Sequence, residues 1–217
     1  MKKKNLENFL KISLLLFSSV IIIAGCGGGD SKTTAKDSAA KTAAQKSGPG
    51  TPIIYDSSKR YIYLTWDDSP QPPGTVICKQ IFHEMGVKAT FFAVGMHQFD
   101  HLRKTLVDSI RNSYPEFLLA NHSYSHGFRN NYKMFYSHPD SAVADFMRAE
   151  KELKVPVKII RFPGNNTWVG KDEVKGPAST LKVAHLLDSL KYCTIGWDIE
   201  WRFGAKSAPI QSADEMI

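Results

Sequence analysis

An α/β fold built on a parallel sheet is predicted for this 217-residue chain by three observations. From Pro52 onward, short β-rich apolar runs alternate with helical patterns, which is the signature of βαβ units. The runs are apolar enough to be covered on both faces, as parallel strands are. Clusters of carboxylate, imidazole and guanidinium side chains follow directly on the ends of these runs, where α/β barrels carry their active sites.

Taken in order, the first strand is expected over Tyr61–Trp66, followed by a helix over Val76–Met85 that Gly86 stops. Ala89–Val94 is the second strand and Phe99–Asn112 the second helix. Phe117–Ala120 is the third strand, and Asp140–Leu153 the third helix, with Pro139 near its start. Lys158–Arg161 is the fourth strand, Ser179–Leu190 the fourth helix and Tyr192–Trp197 the fifth strand. There is no internal repeat. About 165 residues can bury a substantial core, although a closed barrel usually needs more than five such units.

Ahead of this region, Lys2, Lys3, Lys4 and Lys11 precede an apolar stretch, Ile12 to Ala24, that is short for a membrane span and reads as an export signal over residues 1–25. Ile23-Ala24-Gly25-Cys26 resembles a bacterial lipobox, which implies cleavage before Cys26 and lipidation of its sulfur. Residues 26–51, rich in Gly, Ser, Thr, Ala and Lys, lack the apolar surface to fold and read as a flexible tether. The expected location is therefore that of an exported bacterial lipoprotein, membrane-anchored at the cell envelope. Residues 1–25 hold four lysines and one glutamate, so the remainder carries 24 basic against 20 acidic residues, a net of +4 rather than +7. That balance suits an anionic envelope. No nucleic-acid partner is expected, because the chain shows no recognition module or aromatic-basic platform. Cys78 and Cys193 are expected as separate core residues, although an exported compartment would permit a disulfide.

The chemistry concentrates in two places. Asp67 and Asp68 end the first apolar run, and His122 and His126, four apart, end the third. One carboxylate and two imidazoles can hold a divalent cation while leaving positions open for water and a substrate oxygen. The second carboxylate then remains as a base for the attacking water. Asp-Asp-Ser-Pro alone is ordinary turn chemistry. The pair of histidines shifts the reading to metal-assisted hydrolysis.

Thr65-Trp66-Asp67-Asp68-Ser69-Pro70, His122-Ser123-Tyr124-Ser125-His126 and Arg161-Phe162-Pro163-Gly164 resemble, in order, the first three motifs of the polysaccharide deacetylases, which share a NodB-type domain. The resemblance spans roughly Tyr61 to Trp201. It implies a distorted (β/α) barrel with about five of seven βα units present, and a deacetylase domain over residues 52–217 that is incomplete at its C-terminal end. It further implies Asp67 as general base and Asp68, His122 and His126 as ligands of one divalent metal ion, zinc. Arg161 would hold the base, and a backbone N–H after Pro163, at Gly164, would meet the oxyanion. Asn121 and Ser123 are expected to fix the imidazole tautomers. Gly196-Trp197-Asp198-Ile199-Glu200-Trp201 resembles a divergent fourth motif. There Asp198, or Glu200 after it, would orient the arginine, while Trp197 and Trp201 would face the acetyl group and the sugar.

The sequence departs from that pattern at three points. Ser69 stands for a usual glycine, Gly164 for a frequent aromatic, and no Leu-x-His motif follows Trp201, as expected of a fragment or a truncated protein. Trp168 is the candidate to replace the missing aromatic. The expected activity is removal of N-acetyl groups from a GlcNAc-containing polysaccharide, the acetylated glycan being the partner and the protein a monomer. A non-catalytic glycan-binding surface lipoprotein and an O-acetyl esterase are the alternatives.

Overall fold

The computed structural model describes residues 55–170, 173–205 and 208–216. The export signal, the tether and Cys26 lie outside them. Five parallel strands form one sheet in the order β1-β2-β3-β4-β7. They are β1 (Leu64–Ser69), β2 (Ala89–Ala93), β3 (Phe117–Asn121), β4 (Ile159–Ile160) and β7 (Cys193–Thr194). The helices that connect them are α1 (Gly74–Glu84), α2 (His101–Arg111), α5 (Pro139–Leu153) and α6 (Ala178–Ser189). All five expected strands and all four expected helices are present, with ends shifted by a few residues.

Several further elements were not expected. A left-handed turn, α3 (His126–Asn130), and a short helix, α4 (Tyr132–Ser137), fill the stretch after β3. A small antiparallel hairpin, β5 (Trp168–Val169) with β6 (Val174–Lys175), precedes α6. One expectation needs correction: β1 is an edge strand and is only half covered, with Leu64 exposed and Tyr61 to Tyr63 outside the strand. Its apolar composition is that of an interior strand, but only β2 pairs with it.

Period-2 alternation sorts the side chains between two faces. On the helix side, Phe91, Phe117 and Leu119 pack with Leu106, Val107 and Ile110 of α2 and with Ala149 and Leu153 of α5. A second cluster joins α4, α5 and α6 through Phe135, Phe146, Phe162, Val183 and Leu187. The fully buried Phe, Leu, Ile and Val side chains among these contribute about 1.5–3 kcal/mol each by leaving water. Phe92 points to the opposite face and meets Arg161 and His122 instead. Helix ends are fixed locally: the Asp100 carboxylate accepts from the Arg103 N–H at the start of α2, and Gly86, at φ +65°, follows α1. Cys78 on α1 is half-buried and Cys193 on β7 is exposed, so neither is the core residue expected, and both are free thiols.

Candidate metal centre

The two adjacent carboxylates are separated by a bulge in β1. Trp66 pairs with Phe91 but Ser69 pairs with Ala93, so three residue steps on β1 match two on β2. Thr65 and Asp67 share the inner face, and both accept from Nη1 of Arg161, at 2.7 and 2.9 Å. Alternation would send Asp68 back among the helices. Its left-handed backbone, φ +64°, turns it out at the C-terminal rim of the sheet, a conformation aspartate tolerates better than most residues.

At that rim, Asp68 Oδ1 lies 3.0 Å from His126 Nε2 and 3.6 Å from His122 Nε2. The three potential ligand atoms fall within 4.8 Å of one another. His122 is held from behind: its Nδ1 stands 2.9 Å from the Arg161 carbonyl, which can only accept, so the proton sits on Nδ1 and Nε2 offers a lone pair. His126 Nδ1 is bound in the same way by the side-chain oxygen of Asn130. These two bonds correct the expectation for Asn121 and Ser123. Asn121 instead ties the loop down, accepting from the Ser123 N–H and donating to the Phe146 carbonyl, and the Ser123 hydroxyl accepts from the Gly127 N–H.

His126 rides on a strained segment. Residues 126–130 all have φ between +52° and +70°, a conformation that disfavours each non-glycine residue by about 1–2 kcal/mol. Such strain persists only where the surroundings over-determine it. Here the Ser125 hydroxyl caps the turn at Phe128, and Asp145 of α5 accepts from the N–H groups of Tyr124 and Ser125. Asp145 carries no motif; its only sequence signal is a carboxylate beside the buried stripe Ala142, Phe146, Ala149.

The electrostatics show what the cluster lacks. With both Nδ1 protons committed, Asp68 Oδ1 is buried with no hydrogen-bond partner among the described residues, and faces two nitrogen lone pairs. Burial opposes charge on Asp68, but His126, His122 and His97 together hold its carboxyl below the usual range. Burial likewise opposes the charged form of His126, yet Asp68, Asn130 and Asp67 outweigh it and its pKa is raised. His122 goes the other way, because full burial keeps it neutral against the pull of the same carboxylates. A proton on His126 Nε2 relieves part of the repulsion; a divalent cation relieves all of it. The donor set, one carboxylate oxygen and two imidazole nitrogens with their far sides braced, fits such an ion.

Arg161 is buried and satisfied on all sides. Besides Asp67 and Thr65 it donates to the carbonyls of Gly196, at 2.6 Å, and Ile195, at 3.3 Å, and its guanidinium lies 4.3 Å from the Phe92 ring centre. The residues expected to orient it do not: Asp198 and Glu200 are exposed and are not among its partners. Backbone carbonyls replace the acid. Gly196 is required there, since a Cβ would sit 1.9 Å from Asn166 Oδ1. Trp197 keeps its ring 5.9 Å from the guanidinium and has its backbone N–H and C=O bound by Asn166. Trp201 is exposed, stacked on Phe203, and its indole N–H donates to the Gln211 carbonyl. Pro163 is buried, its carbonyl accepting from Tyr136 and Asn165, while Gly164 is exposed with φ +64°. Trp168 pairs in the hairpin, and it is Tyr132 whose ring stands over Gly164.

Three further residues were invisible in the sequence. His97, just after β2, donates from Nδ1 to the Asp68 carbonyl at 3.1 Å and so braces the bulge. Asn130 and Tyr132 form a chain behind His126, the tyrosine hydroxyl donating to Asn130 Oδ1 at 3.1 Å. A cleft of about 260 Å³ opens beside Asp68, Gln71, His97, His126 and Arg129.

A parallel α/β sheet with an Asp-His-His cluster and an arginine-held second aspartate at its C-terminal rim defines a class of hydrolase scaffolds with a candidate metal site. The polysaccharide deacetylase family model matches residues 55–167, more than half of the chain, and the chain belongs to that family. It is 35% identical over 99 residues to a chitooligosaccharide deacetylase of Rhizobium leguminosarum bv. trifolii, a match covering 45% of this chain and 38% of that protein. Among solved structures it resembles a family 4 carbohydrate esterase from Streptomyces lividans in complex with acetate, at 20% identity and TM-score 0.47, covering 64% of this chain and 63% of that one. A Streptococcus mutans CE4 esterase aligns at 23% identity and TM-score 0.49, covering 63% and 55%. The chain thus spans less than two thirds of the length of each of these relatives.

Proposed function

We propose that this protein hydrolyses acetyl groups from an acetylated polysaccharide, the N-acetyl group of a GlcNAc-containing glycan, with one zinc ion held by Asp68, His122 and His126. The observation that carries the reading is the convergence of those three ligand atoms within 4.8 Å, beside a carboxylate that Arg161 holds separately. A cation held there supplies a lowered water pKa and a polarised carbonyl. Asp67 is the proton acceptor for the attacking water, and that proton passes to the sugar nitrogen as the C–N bond breaks and acetate and the free amine depart. Arg161 fixes one oxygen of that carboxylate at 2.9 Å and leaves the other to take the proton. The Gly164 N–H, on an exposed turn anchored through the buried Pro163, donates to the oxyanion. An anchored lipoprotein, with Cys26 lipidated and residues 26–51 as tether, places this activity at the cell envelope, where such glycans lie.

The test is acetate release from N-acetylated chitooligosaccharides and from peptidoglycan by the purified protein, with zinc supplied and then chelated. Release that stops on chelation and returns with zinc is the expected result. Chelator-insensitive release, or none from a zinc-loaded protein on either substrate, overturns the reading.

A further inference from the structure

One cation at the mouth of the metal centre has no charged partner among the described residues. Arg103, Arg111, Arg148 and Arg161 each meet a carboxylate of the chain, at Asp100, Asp108, Glu152 and Asp67. Arg129 is exposed and pairs with none among the described residues. It lines the cleft of about 260 Å³ beside the proposed metal ligands Asp68 and His126. Asp68 is the only carboxylate among the described residues lining that cleft, and its Oδ1 faces His126 and His122 instead.

The backbone sets Arg129 in that place. Residues 127–129 run left-handed, with φ/ψ of 63/51°, 53/48° and 56/54°. The Phe128 ring packs inward, edge-on to Phe135 at 5.0 Å between centres, and Ser125 Oγ accepts from the Phe128 N–H. The Arg129 N–H closes the turn on the Ser125 carbonyl at 2.8 Å. Arg129 follows His126 by three residues, about one turn, and both line the cleft. Left-handed backbone is costly for arginine, and outliers of this kind gather at ligand clamps.

The charges leave this arginine a use. A divalent cation on Asp68, His122 and His126 offsets the carboxylates of Asp67 and Asp68, so Arg161 and Arg129 remain in excess. Arg161 is buried and spends its donors on the chain. Arg129 can turn its planar fork of N–H donors to a pair of anionic oxygens on a ligand, as carboxylates and phosphates both present.

We propose that Arg129 is an anion-reading residue at the mouth of the metal centre, selecting glycans that carry a carboxylate or phosphate close to the acetylated amine over neutral ones. The proposal rests on the deacetylase reading for the glycan, but its test is read in binding. The probes form two pairs, an anionic member against a neutral one: N-acetylglucosaminyl-N-acetylmuramic acid against its methyl ester, and diacetylchitobiose 6-phosphate against diacetylchitobiose. Their Kd values are read by calorimetry on the zinc-loaded full chain carrying Asp67→Asn, which slows turnover, with Arg129 intact and with Arg129→Gln. In the pair that matches the natural anion, the charged member is expected to bind about tenfold more tightly with Arg129 intact. Arg129→Gln should cut that preference by about fivefold, the upper range for an exposed ion pair. Arg129→Lys keeps the charge without the fork and should retain only part of the preference. Which pair responds distinguishes a carboxylate from a phosphate, and zinc content measured on the same samples separates loss of the contact from loss of the site. A preference that Arg129→Gln lowers by less than twofold in both pairs overturns the proposal, as does an intact chain that binds the charged member no better than the neutral one in both. If the preference follows Arg129 while the unaltered protein releases no acetate, the anion site stands and the deacetylase reading falls.

Discussion

Replacing Arg161 by methionine separates the two halves of the site. The guanidinium donates four hydrogen bonds, to Thr65, Asp67, Ile195 and Gly196, and its side chain is only 4% exposed. Methionine preserves the apolar stem over Phe92 but returns none of these bonds. Asp67 is partly open to water, with 34% of its side chain exposed, so its carboxylate is resolvated and contributes little to the loss. The bonds to Thr65 and Gly196, at 2.7 and 2.6 Å, are the ones that water cannot replace. At about 1.5–3 kcal/mol for each bond to a charged donor, Arg161→Met should destabilise the fold by roughly 3–6 kcal/mol. For a domain of this size that lowers Tm by about 6–24 °C. Zinc affinity should change by less than about tenfold, because His122 is braced by the backbone carbonyl of residue 161 and not by its side chain. Thermal unfolding monitored by circular dichroism reads the first quantity and calorimetric zinc titration the second. A fall in Tm below 2 °C, or zinc affinity lost a hundredfold in a folded variant, would refute the reasoning.

Four other outcomes are expected. His122→Ala and His126→Ala should each abolish stoichiometric zinc binding, and unchanged metal content in either would sink the ligand assignment. Asp67→Asn should keep zinc and lower acetate release by about 10²–10⁴-fold; if Asp67→Asn loses the ion while Asp68→Asn keeps it, the two carboxylates are reversed. Zinc affinity should rise with pH by one proton per ion up to the raised pKa of His126 and level off above it, since His126 must give up a proton while His122, kept neutral by burial, has none to lose. A two-proton slope in a calorimetric pH series would contradict this. Asn130→Ala should weaken zinc about 10–100-fold by freeing the His126 ring, with wild-type affinity arguing that the bond is incidental.

What the sequence carried most clearly was what depends on side-chain pattern. Phe91 and Phe92, or Leu119 and Ala120, announce strands because neighbouring apolar residues must be buried on opposite faces. Asp67, Asp68, His122 and His126 announce a site because charged and imidazole groups do not otherwise gather after such strands. Backbone geometry was not legible in the same way. The bulge that turns Asp68 outward depends on one left-handed residue, and the His126–Asn130 turn on five, four of them not glycine. Arg161 is oriented by the carbonyls of Ile195 and Gly196, and every residue type carries a carbonyl, so the acids Asp198 and Glu200 were the visible candidates. Tyr132 and His97 reach the site from elements that no motif marks.

The most direct test of the metal centre is X-ray absorption at the zinc edge on protein loaded to measured stoichiometry. One zinc per chain, with two imidazole nitrogens at about 2.0–2.1 Å and carboxylate oxygen at about 2.0–2.2 Å, is the expected result. Sulfur ligation near 2.3 Å, or fewer than two histidines in the shell, would contradict the account.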